Sequence, residues 1–92
     1  MTGKFATSKA GHDKSKIYVI IKEETEYVYL ADGIYKTLEK PKKKNKKHIQ
    51  IIHKFQDENL TKKLLLKERV FDEEIKRAIK IYQGRREPDE GR

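Results

Sequence analysis

The sequence predicts a mainly β domain with α: a small closed β-barrel followed by two short C-terminal helices. Three observations carry this reading. Over roughly the first 55 residues, short β-branched and aromatic runs alternate with polar turns, giving four or five strands, which suits a small closed barrel. From Asp57 onward the apolar spacing becomes helical. The 92 residues allow one domain with a modest core, because a chain this short buries only about two-thirds of the surface its unfolded form exposes.

The elements follow in order. GKFAT (3–7) reads as a first strand anchored by Phe5, and SKAGHDKSK (8–16) as a turn pivoting on Gly11, since Gly takes positive φ without steric cost. IYVII (17–21) is the clearest strand, KEETE (22–26) a polar turn, and YVYLA (27–31) a second aromatic, branched strand ending at the hairpin dipeptide Asp32-Gly33. Ile34, Tyr35 and Leu38 suggest a short third pairing before a basic loop over 36–47, with Pro41 where the chain turns. Strand character returns at His48–Phe55. Leu60 and Leu64 place one helix over 58–67. Asp72 reads as the N-cap of a second, whose Ile75, Ala78, Ile79 and Tyr82 follow the i, i+3, i+4, i+7 rule. Gly84 reads as its stop, and the tail 84–92, with no apolar residue, as disordered. The expected organisation is a barrel over 1–56, a helical appendage packed on it over 57–83, and that tail.

Charge is the most uneven property of the chain. Residues 36–54 carry eight Lys against one Glu, which is +7 of a total of +8. Seven of those Lys fall within 36–47, where they repel one another unless a polyanion relieves them. The functional reading is phosphate contact by Lys36, Lys40, Lys42, Lys43, Lys44, Lys46 and Lys47, with release of counterions from a nucleic acid. The competing reading is a solvated charge run that keeps the protein soluble. The block contains Lys and no Arg; Lys is a flexible point charge, whereas Arg forks onto base edges. That favours backbone and shape recognition over sequence reading.

Other chemistries find little support. With 41% charged and 35% hydrophobic residues, the chain leaves little room for an enclosed substrate pocket. The absence of Cys removes disulfides, Cys-ligated zinc and thiol catalysis. His12, His48 and His53 are scattered rather than set at metal-ligand spacing, so no metal is expected, and His12 and His48 either supply hydrogen bonds or stacking to a nucleic acid or are plain surface residues. Glu23, Glu24 and Glu26 lie in a turn where solvation prevents the separated pKa values that acid–base catalysis needs. Ser8 and Ser15 have no base at a recognisable spacing. Tyr18, Tyr27, Tyr29 and Tyr35 form either a base-stacking platform or part of the core, with core or edge packing favoured. A non-enzymatic protein is expected, without cofactor, small-molecule substrate or membrane association, and cytoplasmic, since there is no long apolar run or signal-peptide core.

The stretch GKFATSKAGHDKSKIYVIIKEETEYVYLADG resembles the KOW motif: a strand, a turn centred on Gly, and a second strand with alternating apolar residues. With SKAGHDKSKIYVI, YLADG and EKPKKKNKKHIQ, residues 3–55 are similar to small bacterial KOW-domain RNA-binding proteins, themselves similar to a ribosomal protein family of archaea and eukaryotes. The resemblance implies an SH3-like barrel and contact with RNA, often ribosomal RNA. It equates Gly11 with the family's fixed Gly and makes the surrounding loop, Lys9, His12 and Lys14 with Lys16 at its end, one RNA edge. Ser15 stands where the family usually has Gly after Asp-Lys, a departure that bears on residues 12–16. The expected function is non-catalytic binding of structured RNA by a protein that is a monomer off the RNA, with Arg69 and Arg77 extending the footprint. A protein-interaction adaptor and a duplex DNA binder are the alternatives.

Overall fold

Alternation in the apolar runs builds one antiparallel sheet. The computed structural model describes residues 1–9 and 16–90. Strands β1 (Lys4–Ser8), β2 (Tyr18–Glu23), β3 (Tyr27–Ala31), β4 (Lys42–Asn45) and β5 (Ile49–Gln56) lie in the order β4-β3-β2-β1-β5. Helices α1 (Glu58–Leu65) and α2 (Asp72–Glu90) follow, giving a mainly β architecture with α.

β4 and β5 are the outermost strands, yet only a 3₁₀ turn (Lys46–His48) joins them. Such a turn advances about 6 Å, whereas a flat sheet would hold the two edges about 19 Å apart. The sheet therefore curls until its edges approach. Lys9 N, just past β1, donates to His48 O at 2.9 Å. Lys44 Nζ on β4 donates across the curl to Ser8 Oγ on β1 at 2.8 Å. Among the described residues no β4–β5 ladder completes a closed barrel.

Both faces of the sheet are buried, each against something different. Ala6, Tyr18, Ile20, Val28, Leu30 and Ile49 cluster on one face, within the curl. Their neighbours Phe5, Ile17, Val19 and Ala31 point the other way and pack with Leu60 of α1 and Ile75, Ala78, Ile79 and Tyr82 of α2. Phe5 sits at the centre of that second core, edge-on to Phe55 at 5.6 Å and to Tyr82 at 5.4 Å. Irregular register between β1 and β5 lets Ile52 and Phe55, three residues apart, both serve it.

The helix ends follow from specific side chains. Asp57 caps α1, its Oδ1 accepting from Leu60 N at 3.0 Å. The helix stops through bonds from Lys67 N to Leu64 O and from Glu68 N to Lys63 O, with Lys67 left-handed at φ 58°. This is the Schellman arrangement, with Lys where Gly is usual. Asp72, expected as the cap of α2, is instead its first residue and ties down the distant connection between β3 and β4, Oδ1 accepting from Leu38 N at 2.8 Å. The reach back to Phe71 N is made by Glu74 Oε2 at 3.1 Å.

Three expectations are corrected. The basic segment 36–47 is not one loop: Lys42–Asn45 is strand β4, paired along Tyr27–Leu30 of β3. Lys is depleted in strands, but the outer edge of β3 offers backbone groups that need partners, and β4 supplies them. Ile34, Tyr35 and Leu38 form no strand and lie in the β3–β4 connection. Helix α2 passes Gly84 and continues to Glu90, where a stop and a disordered tail were expected. Gly weakens a helix without ending it, and the Arg and Glu beyond it are good helix formers. No helix of the described residues is long and apolar enough to cross a membrane.

Candidate nucleic-acid interface

Strand pairing sorts the lysines of β4. Lys42 and Lys44 point to the inner face of the curl: Lys42 Nζ lies 5.9 Å from the ring centre of buried Tyr18, and Lys44 reaches Ser8. Lys43 points outward, its ammonium 4.5 Å from the ring centre of Tyr27. A cation over an aromatic face is held by the ring's quadrupole, worth about 0.5–1 kcal/mol when exposed. What reads in sequence as a loose charge run is therefore an ordered row.

The 3₁₀ turn extends that row. Asn45 Oδ1 accepts from Lys47 N at 2.9 Å, which caps the turn and fixes the direction of the next residues. Lys46 Nζ donates to Glu23 Oε2 at 2.7 Å, and Lys46 N to Glu26 O at 2.9 Å, so the turn is bolted to the β2–β3 hairpin. Glu23 also accepts from the Met1 amino group at 2.8 Å. The Lys46 hydrogen bond, then that of Met1, holds the Glu23 carboxyl down at about 2. Lys47 and His48 remain exposed at the end of the row.

Here two separate sequence expectations meet. The bond from Lys9 to His48 brings the end of β1 against the 3₁₀ turn, so Lys9, Lys43, Lys44, Lys46, Lys47 and His48 occupy one edge. Gly11, His12 and Lys14 lie outside the described residues. Lys36 is half-buried at the base of the β3–β4 connection, where its carbonyl accepts from Asp32 N and Gly33 N. Lys40 is exposed on the same connection, its N–H bonded to Thr37 Oγ1. Lys16 is not on this edge; its ammonium sits 5.3 Å from the ring centre of Tyr35.

The tyrosines divide sharply. Tyr18 is 2% exposed and belongs to the inner core. Tyr29 is half-buried, with its hydroxyl near Glu24 Oε2 at 3.3 Å. Tyr27 and Tyr35 keep open surface, Tyr35 as much as 77%. Tyr35 stands beside a cleft of about 530 Å³ between its loop and α2, together with Lys16, Lys76 and Lys80. Lys76 and Lys80 were not singled out from sequence; their only signal was a four-residue spacing flanking the apolar stripe of α2. Among the described residues, no group of three or more His, Cys, Asp or Glu could hold a metal ion. No family model matches the chain, and no curated protein matches it.

Proposed function

We propose that the protein is a non-catalytic RNA-binding protein that holds structured RNA, ribosomal RNA first, along the basic edge of an SH3-like barrel of the KOW kind. The observation that carries the reading is the junction of Lys9 with the 3₁₀ turn at His48, which makes one cationic edge of segments distant in the chain. Support for the barrel is the strand order β4-β3-β2-β1-β5 with a 3₁₀ turn between the first and last strands of that order. The ribosomal part rests on the resemblance of residues 3–55 to KOW-domain proteins.

Lysine ammoniums in a row suit a phosphate backbone, which they meet as point charges without reading bases. Exposed Lys9, Lys43, Lys47 and His48 make first contact, and Lys44 and Lys46 trade their internal partners for phosphates as the RNA settles. A-form RNA presents its phosphates and 2′-hydroxyls for recognition by shape, which separates this reading from duplex DNA binding.

The test replaces Lys42, Lys43, Lys44, Lys46 and Lys47 with Gln and measures binding to a blunt RNA duplex against salt concentration. The fold should survive, affinity at low salt should fall, and the slope should flatten by about 0.7–0.9 per lost phosphate contact. An unchanged slope would remove this edge from the mechanism. A second reading, a protein-interaction adaptor, has in its favour the exposed Leu65, Leu66 and Phe71 where α1 meets α2. If co-sedimentation with the large ribosomal subunit survives the lysine changes but is lost with Leu65→Ser and Phe71→Ser, the adaptor reading takes over.

A further inference from the structure

The cleft beside Tyr35 shares no lining residue with the basic edge and has a chemistry of its own. Its floor is apolar, formed by buried Ile17 and Ile79. One wall is Tyr35, on a loop whose shape is set in advance: Asp32 Oδ1 accepts from the N–H groups of Ile34, Tyr35 and Lys36 at 2.8–2.9 Å. That loop is pinned to α2 by Leu38 N donating to Asp72 Oδ1. The other wall is α2, which sets Lys76 and Lys80 on the same side, one turn apart. Among the described residues none of Lys16, Lys76 and Lys80 is held in an ion pair. Among the described residues the one carboxylate lining the cleft, Asp32, already has three backbone N–H groups on one oxygen, so the net field favours an anion.

We infer that this cleft holds one unpaired nucleotide of the bound RNA, its base stacked on Tyr35 and its flanking phosphates among Lys16, Lys76 and Lys80. The inference rests on the RNA-binding reading and deepens it: the basic edge holds duplex, and the cleft takes a bulged or terminal residue beside it. An exposed tyrosine on a rigid loop is a stacking platform that loses little entropy on binding. The volume lies within the range of small-ligand sites, about 300–1,000 Å³. Charge decides against an uncharged ligand, and the ring beside the lysines decides for a base joined to phosphates.

The experiment titrates the full chain with triadenylate and, separately, with a blunt RNA duplex, following backbone amide shifts. Triadenylate should move the amides of 16–17, 34–36 and 76–83. Tyr35→Ala should weaken its binding about 5-fold or more, and Lys76→Gln and Lys80→Gln should each flatten its salt slope by about 0.7. Both sets of changes should leave duplex affinity as it was. Triadenylate shifts confined to 42–48 would overturn the cleft while RNA binding stands. Shifts from neither RNA would overturn both readings. A hexaglutamate peptide that reproduces the cleft shifts at equal concentration would assign the cleft to an acidic protein segment and overturn the nucleotide.

Discussion

Glu23 accepts from Lys46 Nζ and from the Met1 amino group, and so neutralises part of the cationic edge it supports. Its carboxyl, held at about 2, lies below the ordinary 4.5. The unfolded chain therefore takes up the proton first as pH falls. The stabilisation is whole above about 4.5, drains away toward about 2 and is absent below that. The pair is solvated, so the effect is small. The melting-temperature advantage of the native protein over Glu23→Gln should shrink steadily as pH is lowered from about 5 to about 2. A gap that stays constant over this window would mean that the ionised carboxylate is not what stabilises. The same substitution removes the partner that Lys46 must give up on binding, so it should tighten RNA binding at low salt. The sequence marks Glu23 only as one of three acids in a turn; nothing local says that two distant cations converge on it.

Among the elements, the β3–β4 connection shows how one glycine positions a site. Gly33 has φ of 81°, and a Cβ there would lie 2.5 Å from Asp72 O and 3.0 Å from Lys76 N. The loop carrying Tyr35 thus touches the first turn of α2 backbone to backbone. Gly33→Ala should cost about 2–4 kcal/mol by urea denaturation, from the left-handed conformation plus the displaced helix. Unchanged stability would show that the loop can lift off α2. Asp32-Gly33 was legible as a turn, but as a two-residue hairpin; the Asp carboxylate instead organises a longer loop. Strand β4 was illegible because its Lys residues have neither alternation nor strand propensity; its pairing is set by the free edge of β3.

Across the whole molecule, the helices share a core with four strands, β1, β2, β3 and β5, rather than resting on a finished barrel. Ile75 is fully buried and clusters with Phe5, Val19 and Ala31. Ile75→Ala should cost about 2–5 kcal/mol, a large share of the roughly 5–15 kcal/mol that holds a domain together. The melt should stay a single transition by far-UV circular dichroism and tyrosine fluorescence. Two separated transitions would mean that α1 and α2 form an appendage that the sheet does not need.

Local pattern was enough for the strands expected at 17–21 and 27–31, though the first runs on through Lys22 and Glu23, and for the stripe Ile75, Ala78, Ile79 and Tyr82, because periodicity and propensity act between near neighbours in the chain. Composition was enough to concentrate the positive charge in 36–54. Long-range packing was needed to bury Tyr18, since each face of the sheet is apolar and only the curl and the helices distinguish them, and to leave Tyr35 exposed on the β3–β4 connection. It was needed again to seat Lys9 against His48, and Lys16 beside Lys76 and Lys80. Those groups are separated by tens of residues, and no local preference acts over that distance; they meet because burying two apolar faces at once leaves the chain one way to fold back.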